Sequence, residues 1–113
     1  MTYSKVIKPW GWYQVLSQGS DYVTKELYVN PSQKFSLQKH FRREEHWHIL
    51  EGSGILTLGD SKKLVSPGDH IFVPLEKVHR LEAGSNGLLF FEIQRGDCDE
   101  DDILRLEDDY NRS

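Results

Sequence analysis

Turn-forming clusters interrupt this sequence roughly every 8 to 12 residues, and that spacing leaves room only for short strands. The clusters are Gln18-Gly-Ser-Asp, Asn30-Pro-Ser-Gln, Glu51-Gly-Ser-Gly, Gly59-Asp-Ser-Lys, Ser66-Pro-Gly-Asp and Gly84-Ser-Asn-Gly. Each has a mechanism: Gly reaches positive φ, Pro fixes its own φ, and Asn, Asp and Ser bond their own backbone. The segments between them, at 12–16, 22–29, 35–40, 45–50, 55–58, 63–65, 70–73, 79–82 and 88–94, read as nine strands. Nine short strands in 113 residues indicate an all-β sandwich or barrel in a single domain. The expected organisation is an N-terminal strand segment at 1–16, a barrel at 17–95 and a short acidic C-terminal tail at 96–113.

Charge and composition exclude several classes. The formal net charge of −4 argues against a nucleic-acid partner, which needs a concentrated basic surface. Much of the acidity lies in 97–109, so the body of the domain is nearer neutral. The tail is expected to be one helical turn or an extended segment, docked through Ile103, Leu104 and Leu106 with its acids solvated. One cysteine, Cys98, rules out an internal disulfide and a Cys-rich zinc site. No apolar run approaches the ~20 residues a spanning helix needs, and the N-terminus lacks a signal-peptide core, so the cytoplasm is the expected location.

Alternation along the strands singles out candidate interior polar groups. Glu45, Trp47 and Ile49 share one face, which puts an acid in line with two large apolar side chains and so demands a strong partner for it. Gln38 and His40 share a face of the preceding strand, and Phe90, Glu92 and Gln94 share one of the last strand. Gln38, His40, Glu45 and His79 can converge across neighbouring strands as ligands of one divalent metal ion; two imidazoles and a carboxylate suit zinc, with Gln38 as the weakest donor. The set does not select among Zn, Mn, Fe, Co and Ni. His46 and His48 alternate with Glu45 and should face away, as should His70.

These residues also carry a resemblance. Gln38-x-His40-x4-Glu45-x6-Gly52 and Pro67-Gly68-x5-Pro74-x4-His79 resemble the two cupin motifs, with Gln in place of the first His. Lys8-Pro-Trp-Gly-Trp-Tyr13, Glu45-His-Trp47, Val73-Pro74 with His79-Arg-Leu81, and Glu100-Asp-Asp-Ile-x-Arg-Leu-Glu-Asp-x-Tyr-x-Arg112 resemble the type II mannose-6-phosphate isomerase domain over almost the whole chain. The resemblance implies a cupin-type barrel (double-stranded β-helix, jelly roll), with Gln38, His40, Glu45 and His79 as ligands of a zinc-like ion. It implies a metal-dependent sugar-phosphate isomerase interconverting mannose 6-phosphate and fructose 6-phosphate. Family members often follow a mannose-1-phosphate guanylyltransferase segment; with no such segment in this sequence, guanylyl transfer is not expected of it. Two departures lie beside the metal residues: His40-Phe-Arg-Arg is poorer in His than usual, and Leu75-Glu76 stands where a small residue and Gly are expected.

For that reaction Glu92 is the candidate catalytic base, or else an orienting partner of a ligand histidine. Lys8, Arg43, Arg80 and Lys77 are candidates for holding the phosphate of a small-molecule sugar phosphate. Trp10 could stack on the sugar. The alternatives are a non-catalytic metal-containing sugar-binding cupin, or a different metal cupin enzyme such as an oxygen-dependent one. A homodimer is expected by fold analogy.

Overall fold

The computed structural model describes residues 4–108, and every regular element among them is a strand. In chain order these are β1 (Val6–Lys8), β2 (Gly11–Gln18), β3 (Tyr22–Val29), β4 (Leu37–Lys39), β5 (Arg43–Leu58), β6 (Ser61–Val65), β7 (His70–Val73), β8 (His79–Gly96) and β9 (Leu104–Glu107). All pairings are antiparallel: β1-β2-β3-β8-β4-β9 form one path, and β5 pairs with β6, β7 and β8. The sheet curls into the expected all-β, cupin-type half-barrel.

Two expected turns are instead bends within long strands. β5 and β8 pair from Arg43↔Gly96 to Leu58↔His79, with register shifts at Ile49/Glu51 and Gly52/Gly54. Thus Glu51-Gly-Ser-Gly and Gly84-Ser-Asn-Gly bend a continuous ladder rather than reverse the chain. Gly52 and Gly87 take φ of 84° and 80°, and a Cβ on Gly52 would lie 2.1 Å from the Gly87 carbonyl oxygen. Bulges of this kind add local twist and curvature, which lets two long strands serve both sides of the barrel.

The chain ends also differ from expectation. No boundary falls at residue 16, because β2 runs through it and pairs with β3 from Gly11↔Val29 to Gln18↔Val23. The acidic tail supplies β9, paired with β4 through Lys39↔Leu104, Gln38↔Arg105 and Leu37↔Glu107. Leu104 and Leu106 stay exposed, whereas Ile103 is half-buried and lines the interior cavity, so backbone pairing of an otherwise open edge docks the tail together with one of its three apolar handles. Asp109, Tyr110 and Arg112 of the family-like motif lie outside the described residues.

Register stacks the interior in layers. Ile49, Phe90 and Leu27 are cross-strand partners, as are Trp47, Glu92 and Lys25 one step along, and then Glu45, Gln94 and Val23. The first layer belongs to the apolar core with Val29, Leu56, Leu81 and Leu88; the second and third bring in charge. One end of the barrel is therefore a packed hydrophobic plug and the other a buried polar floor. Glu76, where the family-like pattern calls for Gly, holds a φ of 63°, which costs an L-residue about 1–2 kcal/mol. We expect Glu76→Gly to raise unfolding stability by about 1 kcal/mol and Gly52→Ala to lower it by about 2–4 kcal/mol, read from urea midpoints of the two variants against wild type.

Candidate metal centre and its cavity

Three elements deliver the candidate ligands. His40 follows β4 directly, Glu45 points inward from β5, and His79 opens β8 opposite Gln38. One ligand atom from each of His40, Glu45 and His79 lies within 4.8 Å of the other two, and all three residues are buried. The Glu45 carboxylate reaches 3.3 Å from His40 Nε2 with one oxygen and 3.9 Å from His79 Nε2 with the other.

Hydrogen bonding fixes both imidazoles. His40 Nδ1 lies 2.6 Å from the Asp102 carbonyl oxygen and His79 Nδ1 lies 2.9 Å from that of Lys77. A carbonyl oxygen only accepts, so each Nδ1 carries a hydrogen. In the neutral ring Nε2 is then a lone pair facing Glu45. Burial, foremost, pushes both rings down to about 4; Arg43 lowers His40 further, and the bonds to Asp102 and Lys77 only partly counter it. These contacts therefore have ion-pair geometry around two neutral rings. His79 Nε2 is buried with no hydrogen-bond partner. Two ring nitrogens and a carboxylate converge on one space, with the His79 lone pair left unpartnered, so the residues fit a single divalent ion bound by two nitrogens and an oxygen.

Gln38 lines the same cavity, but its side-chain oxygen already accepts the Ser36 hydroxyl at 2.9 Å. The cavity, of about 100 Å³, is also lined by Lys8, Trp10, Arg43 and Glu92. Trp10 is buried edge-on against Phe35 at 5.8 Å. Arg43, 6% exposed, donates from Nε to Glu45 at 2.9 Å and from Nη2 to the His40 Nε2 lone pair at 3.2 Å; its Nη1 is buried without a partner. Glu92 accepts from Trp47 Nε1 at 3.0 Å and from Gln94 Nε2 at 2.9 Å. Burial, then the neighbouring Glu45 carboxylate, pushes it up to about 7 against the pull of Lys25 and Arg43.

Arg80 corrects an expectation: it is absent from the cavity lining. It is buried, and it donates to the Phe35 carbonyl at 2.9 Å and to Glu107 in β9. Alternation from His79 sends it to the other side of the sheet, where it ties down the tail. His46 and His70 stack at 5.5 Å beside Phe72, on the face away from Glu45. Sequence reasoning missed Lys25, Glu100 and Arg105, which also line the cavity. Lys25 carried the same signal as Glu45, a charge in line with apolar Leu27 and Val29. It is buried with its ammonium 2.7 Å from Glu100.

Linkage gives a pH signature for the metal-free protein. From pH 6.5 down to about 4 the unfolded chain protonates His40 and His79 while the fold holds them neutral. Each ring then removes roughly 1.4 kcal/mol of stability per pH unit. Glu92 acts oppositely between pH 7 and 4.5, where the fold holds a proton that the unfolded chain lacks. The three groups together predict a loss of about 1.4 kcal/mol per pH unit from pH 6.5 to 4.5, steepening below 4.5. Urea midpoints in chelator across that range check this, and His79→Ala should flatten the slope.

Comparison with known proteins places this geometry in a family. The family described as mannose-6-phosphate isomerase C-terminal matches residues 1–108. Mannose-1-phosphate guanylyltransferase RfbM of Salmonella typhimurium is 39% identical over 107 residues, 93% of this chain and 22% of that protein. Mannose-1-phosphate guanylyltransferase 2 of Escherichia coli O157:H7 is 38% identical over 112 residues, 97% of this chain and 23% of that protein. The chain thus spans under a quarter of the length of these two relatives. Among solved structures, a cupin-2 domain from Rhodospirillum rubrum superposes with a TM-score of 0.79 at 20% identity, covering 87% of this chain and 72% of that one. The relatives correct the expected reaction: they are named for guanylyl transfer on mannose 1-phosphate, not for interconverting mannose 6-phosphate and fructose 6-phosphate. With that correction the catalytic-base role of Glu92 loses its reaction. The fold, the buried His-Glu-His group and the match over 1–108 make this chain a member of the mannose-6-phosphate isomerase C-terminal family of cupin domains.

Proposed function

We propose that this domain is a metal-containing, non-catalytic sugar-binding cupin that takes a phosphorylated hexose, within the cytoplasmic synthesis of activated mannose. One observation carries the reading: two residues of the metal group, His40 and Glu45, line a single cavity with Lys8, Arg43, Arg105 and Trp10. A divalent ion held by His40, Glu45 and His79, zinc being the best match to the donors, would supply a Lewis-acidic contact for sugar or phosphate oxygens. Arg43 and Lys8 add the cationic donors that recognise phosphate. Trp10 offers an apolar wall for a sugar ring.

The names of the relatives point to mannose 1-phosphate as the first ligand to try, and the enzymatic step of those longer proteins is their own. Calorimetric titration of the zinc-loaded chain with mannose 1-phosphate, mannose 6-phosphate and unphosphorylated mannose tests the reading. The expected result is binding of a phosphorylated sugar that is lost with chelator and weakened at least about 10-fold, or 1.4 kcal/mol, by Arg43→Met. Proton NMR of the same mixtures should show the sugar unchanged. Steady chemical conversion, or no binding by zinc-loaded protein, would contradict it.

A further inference from the structure

We infer that Asp102, in the acidic tail, is the positioning residue of the metal group: it locks His40 in the Nδ1–H tautomer and aims Nε2 at Glu45. The two imidazoles are secured differently. His79 is tied by Lys77, two residues before it, whereas His40 is tied by a residue 62 positions later in the chain. Asp102 is 3% exposed, and three of its atoms serve the segment from His40 to Arg42. Its carbonyl oxygen accepts His40 Nδ1–H at 2.6 Å. One carboxylate oxygen accepts the Phe41 amide at 3.0 Å and the other the Arg42 amide at 2.8 Å. Both amides lie in the turn between β4 and β5, so losing these two acceptors would loosen the turn that carries His40.

Further contacts hold the tail in place. The Asp97 amide donates to the Arg42 carbonyl at 3.0 Å, and the Asp102 amide donates to Asp99 at 3.0 Å. Glu100 pairs with Lys25, and Arg105 sits opposite Gln38. An acidic run that reads as solvated charge therefore places one carboxylate on the turn after His40 and the carbonyl of the same residue on His40 itself. Ligand-orienting partners of this sort typically carry 10- to 100-fold of metal affinity.

The inference rests on the metal group proposed above, and its test separates the two. Zinc affinity of the full chain is measured by competition with a chromogenic chelator for wild type, Asp102→Asn and Asp102→Ala. We expect roughly 10-fold or greater weakening in both variants. Arg42→Ala, which removes the exposed ion pairs of Arg42 with Asp97 and Asp99 and keeps the amide, should stay within about two-fold of wild type. Nitrogen-15 NMR of the metal-free imidazoles reports the tautomer. Wild-type His40 should be Nδ1–H with slow proton exchange; the variants keep the Asp102 carbonyl but lose the carboxylate contacts to the Phe41 and Arg42 amides that seat it, so they should show averaged ring nitrogens. Unchanged affinity in the folded variants, or weakened affinity with the tautomer intact, would overturn the positioning role. Finding Nε2–H on His40 in wild type would overturn it without any variant. Wild-type protein that takes up no zinc would sink the metal reading instead, while the tautomer measurement still decides the role of Asp102.

Discussion

The Glu45 carboxylate sits at 2% exposure, and the polar end of the barrel is arranged around it. A buried charge is tolerated only with close, well-oriented compensation. Here Arg43 Nε and Trp47 Nε1 donate to its two oxygens. The two histidine Nε2 atoms that face it add no hydrogens, since both rings spend theirs on carbonyls. Ion-pair geometry with neutral imidazoles is an arrangement that makes physical sense around a cation. The apolar layer of Ile49, Phe90 and Leu27 gives that end a rigid support, because a packed core resists small displacements. Function at one end thus rests on close packing at the other.

Much of this was legible in the sequence, for definite reasons. Period-two alternation exposed Glu45 beside Trp47 and Ile49, and the cupin-like spacings brought His40 and His79 to it. The same alternation turned His46 away from the centre, and it also excludes Arg80, a candidate for holding phosphate, from the cavity. Other features were hidden because local residue types carry no register. Gly52 and Gly87 look like turn residues whether a chain reverses or merely bulges, and only the partner strand decides. Lys25 was readable by the rule that identified Glu45, yet its buried position depends on Glu100, which lies 75 residues away. Asp102 was unreadable, since one buried aspartate in an acidic run has the same sequence signature as its solvated neighbours.

The correction of the reaction has a physical basis as well. A donor set of two nitrogens and a carboxylate specifies an ion, whereas a reaction is specified by the groups that touch substrate, and one fold hosts many such sets. Glu92 shows the difference: its carboxylate is engaged by Trp47 and Gln94, so it is a member of the buried network as much as a free base. The departure at Glu76 is instructive in the other direction. It keeps the left-handed backbone that Gly would adopt, and its amide donates to the His40 carbonyl at 2.7 Å. The turn beside the metal ligand therefore holds a left-handed backbone at a non-glycine residue, at some cost in strain.

The central claim is that His40, Glu45 and His79 hold one divalent ion. Anomalous diffraction from zinc-soaked crystals tests it most directly. The account predicts one strong peak within bonding distance of both Nε2 atoms and of the Glu45 carboxylate. A sole peak elsewhere, such as beside His46 and His70 on the outer face, or none at the trio under saturating zinc, would contradict it.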